Sequence, residues 1–169
     1  MTRTARTLAG SVAAAAGRVR PGRAGGAPPP QQTLTFTCSP ADVLAAVRDA
    51  AVWSQVLGDL GRAELVAPGR YRFTPASPAD AEGVDTELRE SADAVLFDRS
   101  GDAPPLVELR VLPAPQDRGT EVELSLDLPV PDLAAGAATF TVLYRLRALL
   151  QTGEVPTITP QPSARPAQR

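Results

Sequence analysis

The chain has 169 residues, 43% of them hydrophobic, enough for one domain with its own core and too few for two ordinary ones. It has no His, its seventeen basic residues are all Arg, and its single Cys, Cys38, excludes an internal disulfide and the usual zinc ligand sets. Residues 1–30 carry Arg3, Arg6, Arg18, Arg20, Arg23 and no acid, whereas residues 31–160 hold all nineteen acids with ten Arg; a body this acidic argues against a nucleic-acid-binding domain.

Residues 1–32 read as a tail, because Pro21–Pro30 is too rich in Gly and Pro to pack as helix or strand. The Ala-rich patch Val12–Ala16 favours at most a transient turn. The five Arg of the tail suit at most weak contact with anionic lipid or nucleic acid, a solvated tail being the plainer reading. Thr33–Cys38 alternates Thr with Leu34, Phe36 and Cys38, the period of a half-buried strand. Cys38 is expected to be a buried structural thiol. Ser39-Pro40 supplies a cap and a first-turn Pro for a helix over Pro40–Asp49, with Asp42 complementing its dipole. A second short helix, Ala50–Leu57, carries Trp53 and Val56 and stops at Gly58.

Six strands follow. Arg62–Val66 and Arg70–Thr74 flank Ala67-Pro68-Gly69 as a hairpin, with Tyr71 and Phe73 on one face and Arg70, Arg72 and Thr74 on the other. Val84–Glu90 and Ala94–Arg99 come next, Arg89 falling on the outer face like Arg72. Leu106–Leu112 turns Val107, Leu109 and Val111 to one side. Gly119–Leu128 alternates most regularly, setting Val122, Leu124, Leu126 and Leu128 against Glu121, Glu123, Ser125 and Asp127, whose acids are expected in water. Short connections and one polar face imply an antiparallel sheet.

The last element is a helix ending at Gln151, although Thr139-Phe140-Thr141-Val142 is β-prone. Phe140, Leu143, Leu146 (or Arg147) and Leu150 share a face, and Gly153 stands just past the end. Asp132 is the expected cap and Leu133–Gly136 a preliminary turn, leaving a helix of about fifteen residues, roughly 22 Å long. No run reaches the roughly 18–20 apolar residues of a membrane span, and cytoplasmic location is expected. The order predicts an α+β domain over 33–155: a curved antiparallel sheet of about six to seven strands wrapped around a long C-terminal helix, two short helices after the first strand, and Pro-rich residues 156–169 as a tail.

The segment TLTFTCSPADVLAAVRDAAVWSQVL resembles the start of the START-like (SRPBCC) superfamily of polyketide cyclases, dehydrases and lipid-transfer proteins. It has that pattern's strand, its small-residue–Pro–acidic turn (Ser39-Pro40-Ala41-Asp42), its Asp (Asp49) and its Trp four residues on (Trp53). Gln116–Leu128 is similar to the superfamily's penultimate strand. Thr152-Gly153-Glu154-Val155-Pro156-Thr157, followed by Gln161-Pro162-Ser163-Ala164-Arg165, resembles the end of bacterial cyclase/dehydrase-type members. The likeness spans about residues 32–165. The abundance of Ala, Gly, Pro and Arg without Lys fits a GC-rich genome. Relatives have a longer, charged segment before the last helix than Pro129–Gly136 here.

The resemblance implies a helix-grip fold holding an apolar ligand between sheet and terminal helix, faced by Trp53, Tyr71, Phe73, Leu88, Leu109, Leu124, Phe140, Leu143 and Tyr144; each would equally serve as core. With no His, no Lys and one Cys, most general bases and nucleophiles are missing. No catalytic residue, metal or cofactor is assigned. The expected function is non-catalytic binding or transport of a small hydrophobic molecule of lipid, polyketide or isoprenoid type. The alternatives are an interaction module with a filled core and a polyketide cyclase/dehydratase-like enzyme.

Overall fold

The computed structural model describes residues 28–78 and 81–156; most of both expected tails lies outside these. Seven strands form one antiparallel sheet in the order β1-β7-β6-β5-β4-β3-β2. They are β1 (Gln31–Phe36), β2 (Gly61–Ala67), β3 (Arg70–Pro75), β4 (Val84–Glu90), β5 (Ala94–Arg99), β6 (Val107–Pro113) and β7 (Thr120–Leu126). Two short helices, α1 (Pro40–Ala46) and α2 (Ala50–Leu57), follow β1, and the long α3 (Asp132–Thr152) closes the domain. This is the curled sheet gripping a terminal helix that the sequence predicts.

Each strand from β2 to β7 pairs with the next, so connections are short hairpins, and β1 closes onto β7 with Leu34 opposite Val122. The alternation sorts as expected: Tyr71, Phe73, Val95, Phe97, Leu109, Val111, Val122 and Leu124 are buried in one core with Trp53. On the opposite face Arg72 meets Asp85 across the strands at 2.7 Å and Arg89 meets Asp98 at 2.5 Å. Such exposed cross-strand pairs each contribute only about 0.2–1 kcal/mol.

Four local expectations need correction. First, α1 ends at Ala46 rather than Asp49, because the Asp49 carboxylate accepts the Ala51 N–H at 2.8 Å and starts α2 instead. Ser39 caps α1 as predicted, in a reciprocal box with Asp42. Second, α3 has 21 residues and no preliminary turn. Pro131 holds the cap position without a side-chain bond, and Asp132 sits in the first turn, where its charge suits the helix N-terminus. The β-prone Thr residues fit because Thr139 and Thr141 donate their hydroxyls back to the carbonyls of Ala135 and Ala137, both at 2.8 Å. Third, the buried face of α3 is Ala135, Thr139, Val142, Leu143 and Leu146, so Leu143 and Leu146 of the expected face are buried while Phe140 is turned outward. By length and composition alone α3 could cross a membrane; in the fold it covers the sheet. Fourth, Asp127 is buried rather than solvated. Cys38 is half-buried, and burial pushes its thiol pKa up, with the Asp42 charge adding to the rise.

Candidate functional site

A cavity of about 790 Å³ lies between the concave face of the sheet, α2 and the N-terminal half of α3, within the range of small-molecule sites, roughly 300–1,000 Å³. Its origin is legible in α3. The helix presents Ala134 and Ala138 toward the cavity and only later the larger Val142, so the first half of the helix leaves space that the second half fills. Buried Trp53, Phe73, Leu106, Val107 and Leu126 form much of the wall. Leu57 and Leu60 close one side, and exposed Arg62, Ser77, Glu82 and Val130 surround the mouth.

Trp53 is held firmly. Its indole N–H donates to the Val47 carbonyl at 2.7 Å, and its ring meets Phe73 and Phe97 edge-on at 5.8 and 5.5 Å. With that donor used, Trp53 offers the cavity a mainly apolar surface. Arg145 on α3 pins the cavity's α2 side. Its guanidinium donates to the carbonyls of Val56 (3.3 Å) and Leu57 (2.8 Å) and to Asp59 at 2.6 Å. A cation at the carbonyl end of a helix is favourably placed, and it holds the Asp59 carboxyl below the usual carboxylate range.

Inside the wall stands one ion pair, Arg99 with Asp127. The guanidinium donates from Nη1 to Asp127 Oδ2 at 2.5 Å and to the Pro104 carbonyl at 3.2 Å, and from Nη2 to the Asp127 carbonyl. The Arg99 side chain keeps 20% of its surface accessible and that of Asp127 6%. Asp127 also donates its backbone N–H to Leu106 at 2.9 Å, which fixes the corner where β5, β6 and β7 meet.

The residues proposed from sequence to face a ligand divide into three groups. Trp53 and Phe73 are in the cavity wall. Tyr71, Leu109, Leu124 and Leu143 are buried in the general core, and Leu88 packs against its margin. Tyr71 is bound elsewhere, its hydroxyl donating to the Arg48 carbonyl at 2.5 Å, and burial raises the phenol pKa with Glu90 and Asp49 adding to it. Phe140 and Tyr144 are on the outer side of α3, 46% and 44% exposed, stacked on each other at 6.1 Å. Bulk misleads here: beside Leu143 and Leu146, the inner face of α3 carries the smaller Ala135, Thr139 and Val142 in place of the aromatic rings. Val107 and Leu126 had the inward parity and were discoverable from it. The Arg99–Asp127 pair, 28 residues apart, leaves no local pattern. Among the described residues no group of His, Cys, Asp or Glu could hold a metal ion.

This architecture, an antiparallel sheet curled around a C-terminal helix over an apolar cavity, is the START-like helix-grip fold. No family model and no curated protein matches the chain. Among solved structures it is similar to the Deinococcus radiodurans protein DR_A0006, with TM-score 0.56 and 22% identity over 73% of this chain and 97% of that one. It is similar to the di-domain ARO/CYC StfQ of the steffimycin biosynthetic pathway, with TM-score 0.52 and 17% identity over 71% of this chain and 44% of that one. It also resembles the Aha1 dimer from Colwellia psychrerythraea, with TM-score 0.53 and 13% identity over 74% and 97%. At these identities the likeness is one of fold.

Proposed function

We propose that this chain is a non-catalytic binder or carrier of a small hydrophobic molecule, held between the sheet and α3. The observation that carries the proposal is the cavity of about 790 Å³ with its apolar wall. An empty cavity of that size in a filled-core interaction module would cost stability without return, which weighs against that alternative. A cyclase/dehydratase-like enzyme would need a positioned acid or base. Among the described residues of the wall the buried carboxylate is that of Asp127, which Arg99 engages. On the resemblance of its C-terminal motif, the chain is taken as a bacterial member of the cyclase/dehydrase type.

Native mass spectrometry of protein purified from its own host tests the proposal, and the expected result is a bound small molecule. Titration of the emptied protein should raise its stability by about 2.7 kcal/mol at a hundredfold excess over Kd. A clean unliganded mass, together with no thermal shift from fatty acids, polyketides or isoprenoids, would overturn it.

A further inference from the structure

We propose that the outer face of α3 is a contact surface for a second copy of this chain, with the two α3 helices lying antiparallel. A helix at the edge of a domain ordinarily backs one apolar stripe with a polar face, and a helix apolar all round is covered all round. On α3 the inner stripe that includes Val142 and Leu146 is buried. On the opposite side Leu133 is 88%, Phe140 46% and Tyr144 44% exposed, and the two rings lie stacked. Ala137 is exposed between them. Leu133, Ala137, Phe140, Tyr144 and Arg147 follow one another in steps of four and three residues, the spacing of a seam between two packed helices. This contact is independent of what fills the cavity, because the cavity is lined from another side of α3, by Ala134, Ala138 and Val142.

Charge and shape select the occupant. Asp132 lies at the N-terminal end of the seam and Arg147 toward its C-terminal end, and neither has an ion-pair partner among the described residues. In an antiparallel pair with its two-fold axis between Ala137 and Phe140, each Phe140 lies over the small Ala137 of the other copy, and each Tyr144 meets Leu133. The same register brings Arg147 level with Val130 of the other copy, two residues or about 3 Å along the axis from Asp132. Helix axes about 8–10 Å apart leave that carboxylate within reach of the long Arg side chain. Two Arg147–Asp132 pairs thus close the seam, one at each end, as two-fold symmetry requires. A parallel pair would set Arg147 against Arg147 and align the two helix dipoles. A lipid surface would accept the apolar stripe but gains nothing from an acid fixed at one end of it.

The overlap, about 22 Å of helix, is short for a permanent dimer, so a Kd on the order of 10 µM is expected. Analytical ultracentrifugation of the full 169-residue chain measures it. The mass should rise from 17.6 kDa toward twice that value between about 1 and 300 µM. Phe140→Glu, a change at an exposed position, should hold the chain at 17.6 kDa throughout. Arg147→Glu should raise Kd about tenfold, and adding Asp132→Arg to it should restore the wild-type value. Neither a lipid surface nor non-specific association would give that rescue. Should Phe140→Glu fail to fold by circular dichroism, the charge reversal and its rescue decide. A wild-type mass that stays at 17.6 kDa up to about 300 µM overturns the dimer. So does a dimer that survives Phe140→Glu, or a double reversal no tighter than the single one. Flotation of the wild type with phosphatidylcholine vesicles in place of self-association overturns it in favour of a lipid surface.

Discussion

Tyr71 shows how one side chain joins parts of the chain that local pattern keeps separate. Its ring packs edge-on against Phe97 at 5.0 Å, while its hydroxyl reaches the Arg48 carbonyl in the turn between α1 and α2. Beside that contact, Arg48 grips Glu90 through two bonds of 2.7 and 3.0 Å. The turn that orients α2, and with it Trp53 and Leu57 at the cavity, is therefore tied to β3 and β4. Tyr71→Phe removes only the hydroxyl and should cost about 1 kcal/mol, a fall in Tm of roughly 3–5 °C for a domain of this size. Thermal melts by circular dichroism measure it. An unchanged Tm would mean that water replaces the hydroxyl at no cost and that the tie contributes nothing.

At the scale of elements, strands were far more legible than helix faces. A strand offers two faces and period-2 alternation chooses between them, so it turns Tyr71, Phe73, Leu109, Val122 and Leu124 inward, and they are buried. A helix offers a continuum of faces. On α3 the bulky Phe140 and Tyr144 compete with Ala135, Thr139 and Val142, and it is the latter three, with Leu143 and Leu146, that are buried. What decides is proximity, which sequence does not display. Gly136 illustrates the limit. A Cβ at that position would stand 3.6 Å from Pro30 Cβ and 3.9 Å from Gln32 Nε2, ordinary contact rather than a clash. Gly136→Ala should therefore stabilise the protein by up to about 1 kcal/mol through helix propensity and a less free unfolded chain. Gly119→Ala is the opposing control, since its φ is +114° and its Cβ would fall 2.0 Å from the Phe36 carbonyl oxygen. A lowered Tm for Gly136→Ala would show that α3 must approach β1 more closely than ordinary contact allows.

At the scale of the whole molecule, most charges of the described residues are arranged around the fold rather than inside it, and the buried acids, Asp127 and Glu108, each face an Arg, Arg99 and Arg110. The Arg99–Asp127 pair unites β5 with the end of β7 through a corner that exists only once the sheet has formed, which is why alternation misassigned Asp127 to water. The outer pairs make a different, testable contribution. Asp59, Asp85 and Glu90 are each held below the usual carboxylate range, in every case chiefly by a hydrogen bond from an Arg: Arg145, Arg72 and Arg48. A depressed folded-state pKa means that the unfolded chain takes up protons first as pH falls. The stabilisation is thus complete above the unfolded value of about 4 and is lost as pH drops through the depressed folded value. With no His in the chain, side-chain titration contributes little to stability between about pH 6 and 8. Asp85→Asn isolates one pair while leaving the general charge balance of the molecule nearly unchanged. The stability gap between wild type and variant should be constant from about pH 8 to 6 and close as pH falls below about 4. It should also shrink in 1 M salt, where the Debye length is about 3 Å and exposed pairs are screened. Urea melts at stepped pH, with and without salt, give the gap directly. A gap that persists unchanged into acid would show that the amide alters packing at β3 and β4 and that the Arg72 pair supplies no charge-dependent stability.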